Sequence, residues 1–239
     1  MTSRSSSSLA GAPPTARVPL LLRRLSGRYG RPMHARRRSP LDSLIATVLS
    51  QNTTDTNSGR AFASLRERFP SWEEVAEARP AQIAAAIRSG GLADIKARRI
   101  KRILRQIEGD RGALDLGFLR RLSLDQAREY LTGLPGVGPK TAACVLLFSL
   151  RRPVFPVDTH VLRVSKRLGL IPPTTTMERA HDIYREMLEP DQMLGLHLGL
   201  VQHGRETCPA RRPRCGQCVL SGLCPRIGVA EGKPRRRET

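Results

Sequence analysis

Four cysteines stand within 17 residues near the end of the chain: Cys208, Cys215, Cys218 and Cys224, spaced C-x6-C-x2-C-x5-C. Thiolates that close in sequence can converge on one metal centre. The surrounding segment carries few large apolar residues, so a metal centre there would fold a loop that has little core of its own. Disulfides are the other use of such a cluster. They fit poorly with a basic chain whose first residues, Met1–Ala16, lack the apolar stretch of a secretory signal, because reducing compartments keep thiols free. Four-cysteine ligation suits zinc and iron–sulfur chemistry alike, and the spacing does not separate them. The fifth cysteine, Cys144, lies in a helical apolar run and reads as a small buried hydrophobe.

Outside that loop the core must come from aliphatic residues. Aromatics make up only 4% of the 239 residues, against 39% hydrophobic overall. That mix favours helices over sandwiches or barrels of strands. Apolar residues recur at helical spacing along the chain, as in Leu41, Leu44, Ile45, Val48 and Leu49, or Ile100, Ile103, Leu104 and Ile107. Helices are predicted from Pro19, as a first helical residue, to Gly27, then over 40–50, 60–69, 71–77, 80–89, 95–108, 124–131, 139–150, 159–168, 177–188 and 194–204. No hairpin or paired-strand pattern stands out. The reading is all-α, about ten short helices joined by Gly/Pro turns.

Charge then narrows the partner. Lys and Arg number 41 against 21 Asp and Glu, a net +20. Such a field draws polyanions, so nucleic acid is the expected partner. No stretch reaches the roughly 18 apolar residues of a membrane span. Residues 1–16 and the tail 226–239, with Arg235, Arg236 and Arg237, read as disordered ends. In the cysteine loop, Arg211, Arg212 and Arg214 could rest on phosphates if the loop is rigid.

A second constellation sits between two helical runs, Leu134-Pro135-Gly136-Val137-Gly138-Pro139-Lys140-Thr141-Ala142. Gly136 and Gly138 free the backbone and clear the surface, so a phosphate could reach bare N–H groups at a helix start. Lys140 follows in the first helical turn, where a cation is disfavoured. Half-burial there would help its ammonium shed a proton, which is how an amine nucleophile is prepared. Asp158, before the run Thr159–Leu168, is first a helix cap. Facing a lysine, it could also stabilise a cationic transition state. His160 reads as structural or as a wall of a substrate pocket.

Together these motifs, in this order, resemble the endonuclease III type of the helix-hairpin-helix DNA glycosylase superfamily, from about Leu20 to Cys224. Residues 134–142 resemble that family's hairpin with its catalytic lysine, Val157-Asp158-Thr159-His160-Val161 its catalytic-aspartate segment, and Cys208–Cys224 its four-iron, four-sulfur (4Fe-4S) cluster loop. The resemblance implies two helical domains with a DNA-binding cleft between them: a six-helix domain over residues 32–152, and a cluster domain of residues 17–31 plus 153–225. It implies a 4Fe-4S cluster on Cys208, Cys215, Cys218 and Cys224, with Lys140 and Asp158 catalytic. Gly136, Val137, Gly138, Thr141, Gln51, Asn52, Leu92, Arg211, Arg212 and Arg214 would contact DNA, and His160 would line the pocket. Asn52 and Leu92 match the positions that fill the gap left by a flipped nucleotide. The family has Gln where Asn52 stands, and Gln51 could share that task. The implied activity is a bifunctional glycosylase and abasic-site lyase of base excision repair acting on oxidised pyrimidines. Thr47, where the adenine-mismatch relatives carry glutamate, and Lys140, where thymine-mismatch relatives carry tyrosine, favour that activity over its sisters. A non-catalytic DNA-binding scaffold is the other class, and it would need neither Lys140 nor Asp158. A monomer acting on damaged duplex DNA in the cytoplasm, at the bacterial nucleoid, is expected, with no membrane partner. The segment 115–126 is longer than in short bacterial relatives.

Overall fold

The computed structural model describes residues 12–30 and 38–229, so Arg235–Arg237 and most of both expected disordered ends lie outside the described residues. Among the described residues every regular element is helical. The α-helices are α1 Pro14–Tyr29, α2 Pro40–Ser50, α3 Asp55–Arg68, α4 Trp72–Glu77, α5 Pro80–Ala86, α6 Ala93–Arg111, α7 Leu124–Thr132, α8 Pro139–Phe148, α9 Thr159–Arg167, α10 Met177–Met187 and α11 Pro190–Glu206. The chain divides into two compact units, Arg36–Arg152 and a discontinuous one made of Met1–Ala35 and Pro153–Thr239.

Among the described residues Arg36–Arg152 holds α2–α8. Proline at 80 ends α4 and restarts the chain as α5, because it starts a helix well and cannot continue one. Short polar side chains set the starts. Ser39 accepts from the Asp42 N–H at 3.0 Å, Thr54 from Asn57 at 3.2 Å, Ser71 from Glu74 at 3.2 Å and Ser123 from Gln126 at 3.2 Å. The α2 stripe and the α6 stripe are buried, and from Thr141 to Leu147 every residue of α8 is buried. Each fully buried Leu or Ile contributes about 1.5–3 kcal/mol relative to an exposed one. Small residues at Ala142 and Ala143 let α8 pack closely against α2 and α7. The segment after α6 forms a 3₁₀ turn, Gly117–Arg120. Leu116 and Leu119 anchor it, and Phe118 sits between the Tyr130 ring at 5.0 Å and the Arg111 guanidinium at 4.1 Å. Its local role is packing.

In the other unit α11 is the central helix, flanked by α1 and α9. A Cβ on Gly199 would lie 3.0 Å from Leu25, so glycine there is what lets α1 lie close. Two expectations change here. The first helix begins at Pro14 and carries Pro19 inside it, where a helix starting at Pro19 and a disordered arm to Ala16 were expected. Tertiary bonds account for it: Arg17, 3% exposed, donates to the carbonyls of Leu168 (2.8 Å), Leu223 (3.1 Å) and Gly169 (2.7 Å). The tail is likewise ordered through Val229: the Ile227 N–H donates to the Arg167 carbonyl at 3.2 Å.

Candidate functional site

The hairpin joins α7 to α8. Leu134 and Val137 are buried at 2% and 4% exposure and pin the loop to the core, while Gly136 and Gly138 are exposed. Gly136 takes φ +71°, and a Cβ there would fall 2.4 Å from Arg99 Nε. Glycine is therefore needed twice, for the left-handed turn and for the arginine packed under it. α8 starts from Gly138 without a side-chain cap, unlike the four helices whose Ser or Thr caps were named above. Its first turn thus presents N–H groups and a positive dipole end, the arrangement that suits a phosphate. Lys140 lies in that turn and is half-buried. The side chains of Val137 and Thr141 are buried at 4% exposure each.

Gln51 follows α2, and both ends of its amide are engaged. Its Oε1 accepts from Arg99 Nη1 at 2.6 Å, and its Nε2 donates to Thr141 Oγ1 at 3.4 Å. Gln51 is thus tied to α6 and α8. Asn52 is exposed at φ +54°, a conformation asparagine tolerates better than most residues. Leu92, 51% exposed at φ +50°, opens α6 and is followed one turn on by exposed Ile95. An apolar, left-handed leucine offered to solvent is strained backbone of the kind found at functional sites. Lys96 and Arg99, both on α6, hold this region from within. Arg99 makes the bonds above, and Lys96, 2% exposed, donates to the carbonyls of Leu49 and Gly90, each at 2.8 Å. Burial, then the Arg99 charge, lowers the Lys96 pKa. Neither residue was singled out from the sequence. A charged residue on the apolar stripe of α6 was the available signal for Lys96, since position 96 falls on the face of Ile100 and Ile103.

In the other unit, Asp158 caps α9: its Oδ1 accepts from the Val161 N–H at 2.8 Å, and the residue is half-buried. His160 is packed against Gly204 of α11 and lies 3.1 Å from Arg163 Nη2 through its Nδ1. Burial lowers the Arg163 pKa, with the charges of Cys208 and Asp158 in part opposing it.

The four cysteines converge as their spacing suggested. All four line one cavity, with Leu168 and Leu220 on its apolar wall. A single zinc would need every thiolate about 2.3 Å from one point. Four thiolate donors lining one cavity suit zinc and an iron–sulfur cluster alike. Burial raises the pKa of Cys218 and Cys224, so their thiolates call for a cationic centre to stabilise them. Polar groups already face the sulfurs: the Leu220 N–H is 3.3 Å from Cys218 Sγ, Arg167 Nη1 is 3.1 Å from Cys208 Sγ, and His203 Nε2 is 3.5 Å from Cys218 Sγ. Burial holds the His203 pKa down to about 4, so the ring is neutral, with Nδ1 3.0 Å from the Tyr29 hydroxyl. Arginines hold the loop backbone. Arg167 donates to the carbonyls of Pro209 (2.7 Å) and Ala210 (2.8 Å), Arg163 to Cys208 (3.1 Å) and Arg24 to Val219 (3.1 Å). Arg211, Arg212 and Arg214 are exposed on its outside.

Comparison with known proteins agrees with this geometry. The family model described as HhH-GPD superfamily base excision DNA repair protein matches residues 45–190, and the one described as the iron–sulfur binding domain of endonuclease III matches residues 206–224. A candidate DNA glycosylase of Arabidopsis thaliana is 44% identical over 192 residues, which is 80% of this chain and 63% of that protein's length. Endonuclease III of Sulfolobus acidocaldarius is 34% identical over 189 residues, 78% of this chain and 82% of that one. A solved structure of an endonuclease III trapped as a covalent intermediate with DNA shares the fold at TM-score 0.73 and 28% identity, covering 89% of this chain and 96% of that one.

Proposed function

The chain belongs to the HhH-GPD superfamily of base excision DNA repair proteins, and we propose that within it the protein is a bifunctional glycosylase and abasic-site lyase for oxidised pyrimidines. The protein is a DNA glycosylase of the endonuclease III type, and its cofactor is a 4Fe-4S cluster. Cys208, Cys215, Cys218 and Cys224 would hold that cluster, which braces the loop carrying Arg211, Arg212 and Arg214 toward phosphates.

In this reading the protein acts as a monomer on duplex DNA containing a damaged base or an abasic site. Phosphate rests on Gly136, Gly138 and the open start of α8. The damaged nucleotide is flipped out, and Asn52 and Leu92 occupy the space it leaves. The amine of Lys140 attacks the sugar's anomeric carbon as the bond to the base breaks, and the leaving base takes up a proton. Asp158 offsets the positive charge that builds on the sugar. The ring bond from the anomeric carbon to O4′ then breaks, the ring oxygen takes up the proton the amine gives up, and a Schiff base forms. That iminium makes the adjacent carbon acidic, so loss of a proton there expels the 3′ phosphate and cuts the strand.

One observation carries the reading: a half-buried lysine stands in the side-chain-uncapped first turn of α8, directly after an exposed glycine turn. A lysine in that place suits phosphate binding as well as nucleophilic attack, and only attack leaves a covalent adduct. Borohydride should trap the wild-type protein covalently on DNA containing thymine glycol and should fail to trap Lys140→Ala. Equal trapping of both would remove Lys140 as the nucleophile. No trapping by a cluster-loaded wild type, on either lesion or abasic DNA, would leave a monofunctional enzyme or a binding protein.

A further inference from the structure

Lys96 has no part in the chemistry above, yet among the described residues of the Arg36–Arg152 unit it is the buried cation, 2% exposed. Its two carbonyl partners are informative. The Leu49 carbonyl belongs to the last turn of α2, three residues before Asn52, and the Gly90 carbonyl ends the 3₁₀ turn Arg88–Gly90, two residues before Leu92. Carbonyls at helix ends lack a donor from the next turn and favour a cation. A Cβ on Gly90 would lie 3.1 Å from Ala61 Cβ and 3.9 Å from the Leu49 oxygen, so the two corners are in close contact around the ammonium. Immediately beyond each tie the backbone turns left-handed, at φ +54° for Asn52 and +50° for Leu92. Such a conformation persists in leucine only where the surroundings impose it. Burying an ammonium is unfavourable, and an apolar side chain would fill the space if the two corners had only to pack.

We propose that Lys96 is a positioning residue: one ammonium clamps the corners bearing Asn52 and Leu92 and sets the spacing at which the two enter the duplex together. The proposal rests on the reading of Asn52 and Leu92 as the residues that fill the gap. The clamp matters when a base must be extruded and matters less when the base is already missing.

The test compares two single-turnover rates on cluster-loaded protein: base release from a thymine glycol duplex and incision at a preformed abasic site. A 2-aminopurine next to the lesion reports unstacking by fluorescence. Lys96→Met removes every donor and could unfold the unit, so Lys96→Gln, which keeps an N–H donor, carries the measurement, with native helicity checked by circular dichroism. The expected result is that the ratio of base release to abasic incision falls about 10- to 100-fold, the size of effect a misplacement of about 1 Å can have. The fluorescence rise on binding should fall with it. A ratio equal to wild type, or both rates falling together with the fluorescence rise intact, overturns the clamp. Asn52→Ala and Leu92→Ala run beside it. If both release base like wild type, the gap-filling reading fails whatever Lys96 does. If they are impaired and Lys96→Gln is not, only the clamp falls.

Discussion

The glycine hairpin of one unit and the cysteine loop of the other are both turn-rich segments placed after a helix, yet they are held by opposite means. The hairpin is pinned by apolar side chains pointing inward, Leu134 and Val137, with its backbone left open at Gly136 and Gly138. The cysteine loop is held through its own carbonyls by Arg17, Arg24, Arg163 and Arg167, which reach it from α1 and α9. One loop keeps its polar backbone for a ligand; the other has that backbone satisfied from inside the protein. The difference also divides the arginines of a +20 chain into two groups. Those on the outside, such as Arg211, Arg212 and Arg214, belong to the field that attracts DNA. Those inside are structural donors, and net charge alone does not separate the two.

The contrast predicts where each region breaks. The largest effect is expected from the cysteines: Cys215→Ala should abolish the visible absorption of the purified protein and lower its melting temperature by more than about 10 °C, since each kcal/mol is worth about 2–4 °C at this size. Limited proteolysis should then cut first between residues 207 and 229. A native-like melt without the chromophore would show that the loop folds by its arginines alone. Arg167→Met comes next. It removes the donor to the part-buried carbonyls of Pro209 and Ala210, and should speed loss of the cluster to a chelator while leaving the hairpin's amide exchange unchanged. Gly136→Ala strains a left-handed residue and collides with Arg99. It should cost about 1–3 kcal/mol and weaken DNA binding with the cluster spectrum intact. The smallest change is Asn52→Gln, which lengthens an exposed side chain. Stability should fall by about 1 kcal/mol, since glutamine tolerates the left-handed backbone less well than asparagine, while the dependence of excision on the opposite base shifts.

Much of this was legible in the order of residues. The α2 stripe with its Ser39 cap and Pro40 start falls where its spacing predicts, because cap, proline and apolar period all act within one helix. Cys208, Cys215, Cys218 and Cys224 could be grouped from spacing alone, because short separations force proximity. The start of the chain misled, because proline chemistry at Pro19 is local whereas Arg17 finds its partners some 150 residues away. The tie of Gln51 was hidden for the same reason: its sequence neighbourhood gives no sign of Arg99 or Thr141.

The sequence by itself determined the helical class, the glycine turn before Lys140, the cap at Asp158 and the four-cysteine set, since each depends on contacts within a few residues or on composition. Only the tertiary structure decided which cations face inward, that Gln51 is tied back, that Asn52 and Leu92 share a left-handed backbone, and that Lys96 joins the corners bearing them. Those outcomes depend on donors and acceptors brought together from distant parts of the chain, where desolvation makes an unpaired group costly and so selects a partner that no local pattern records.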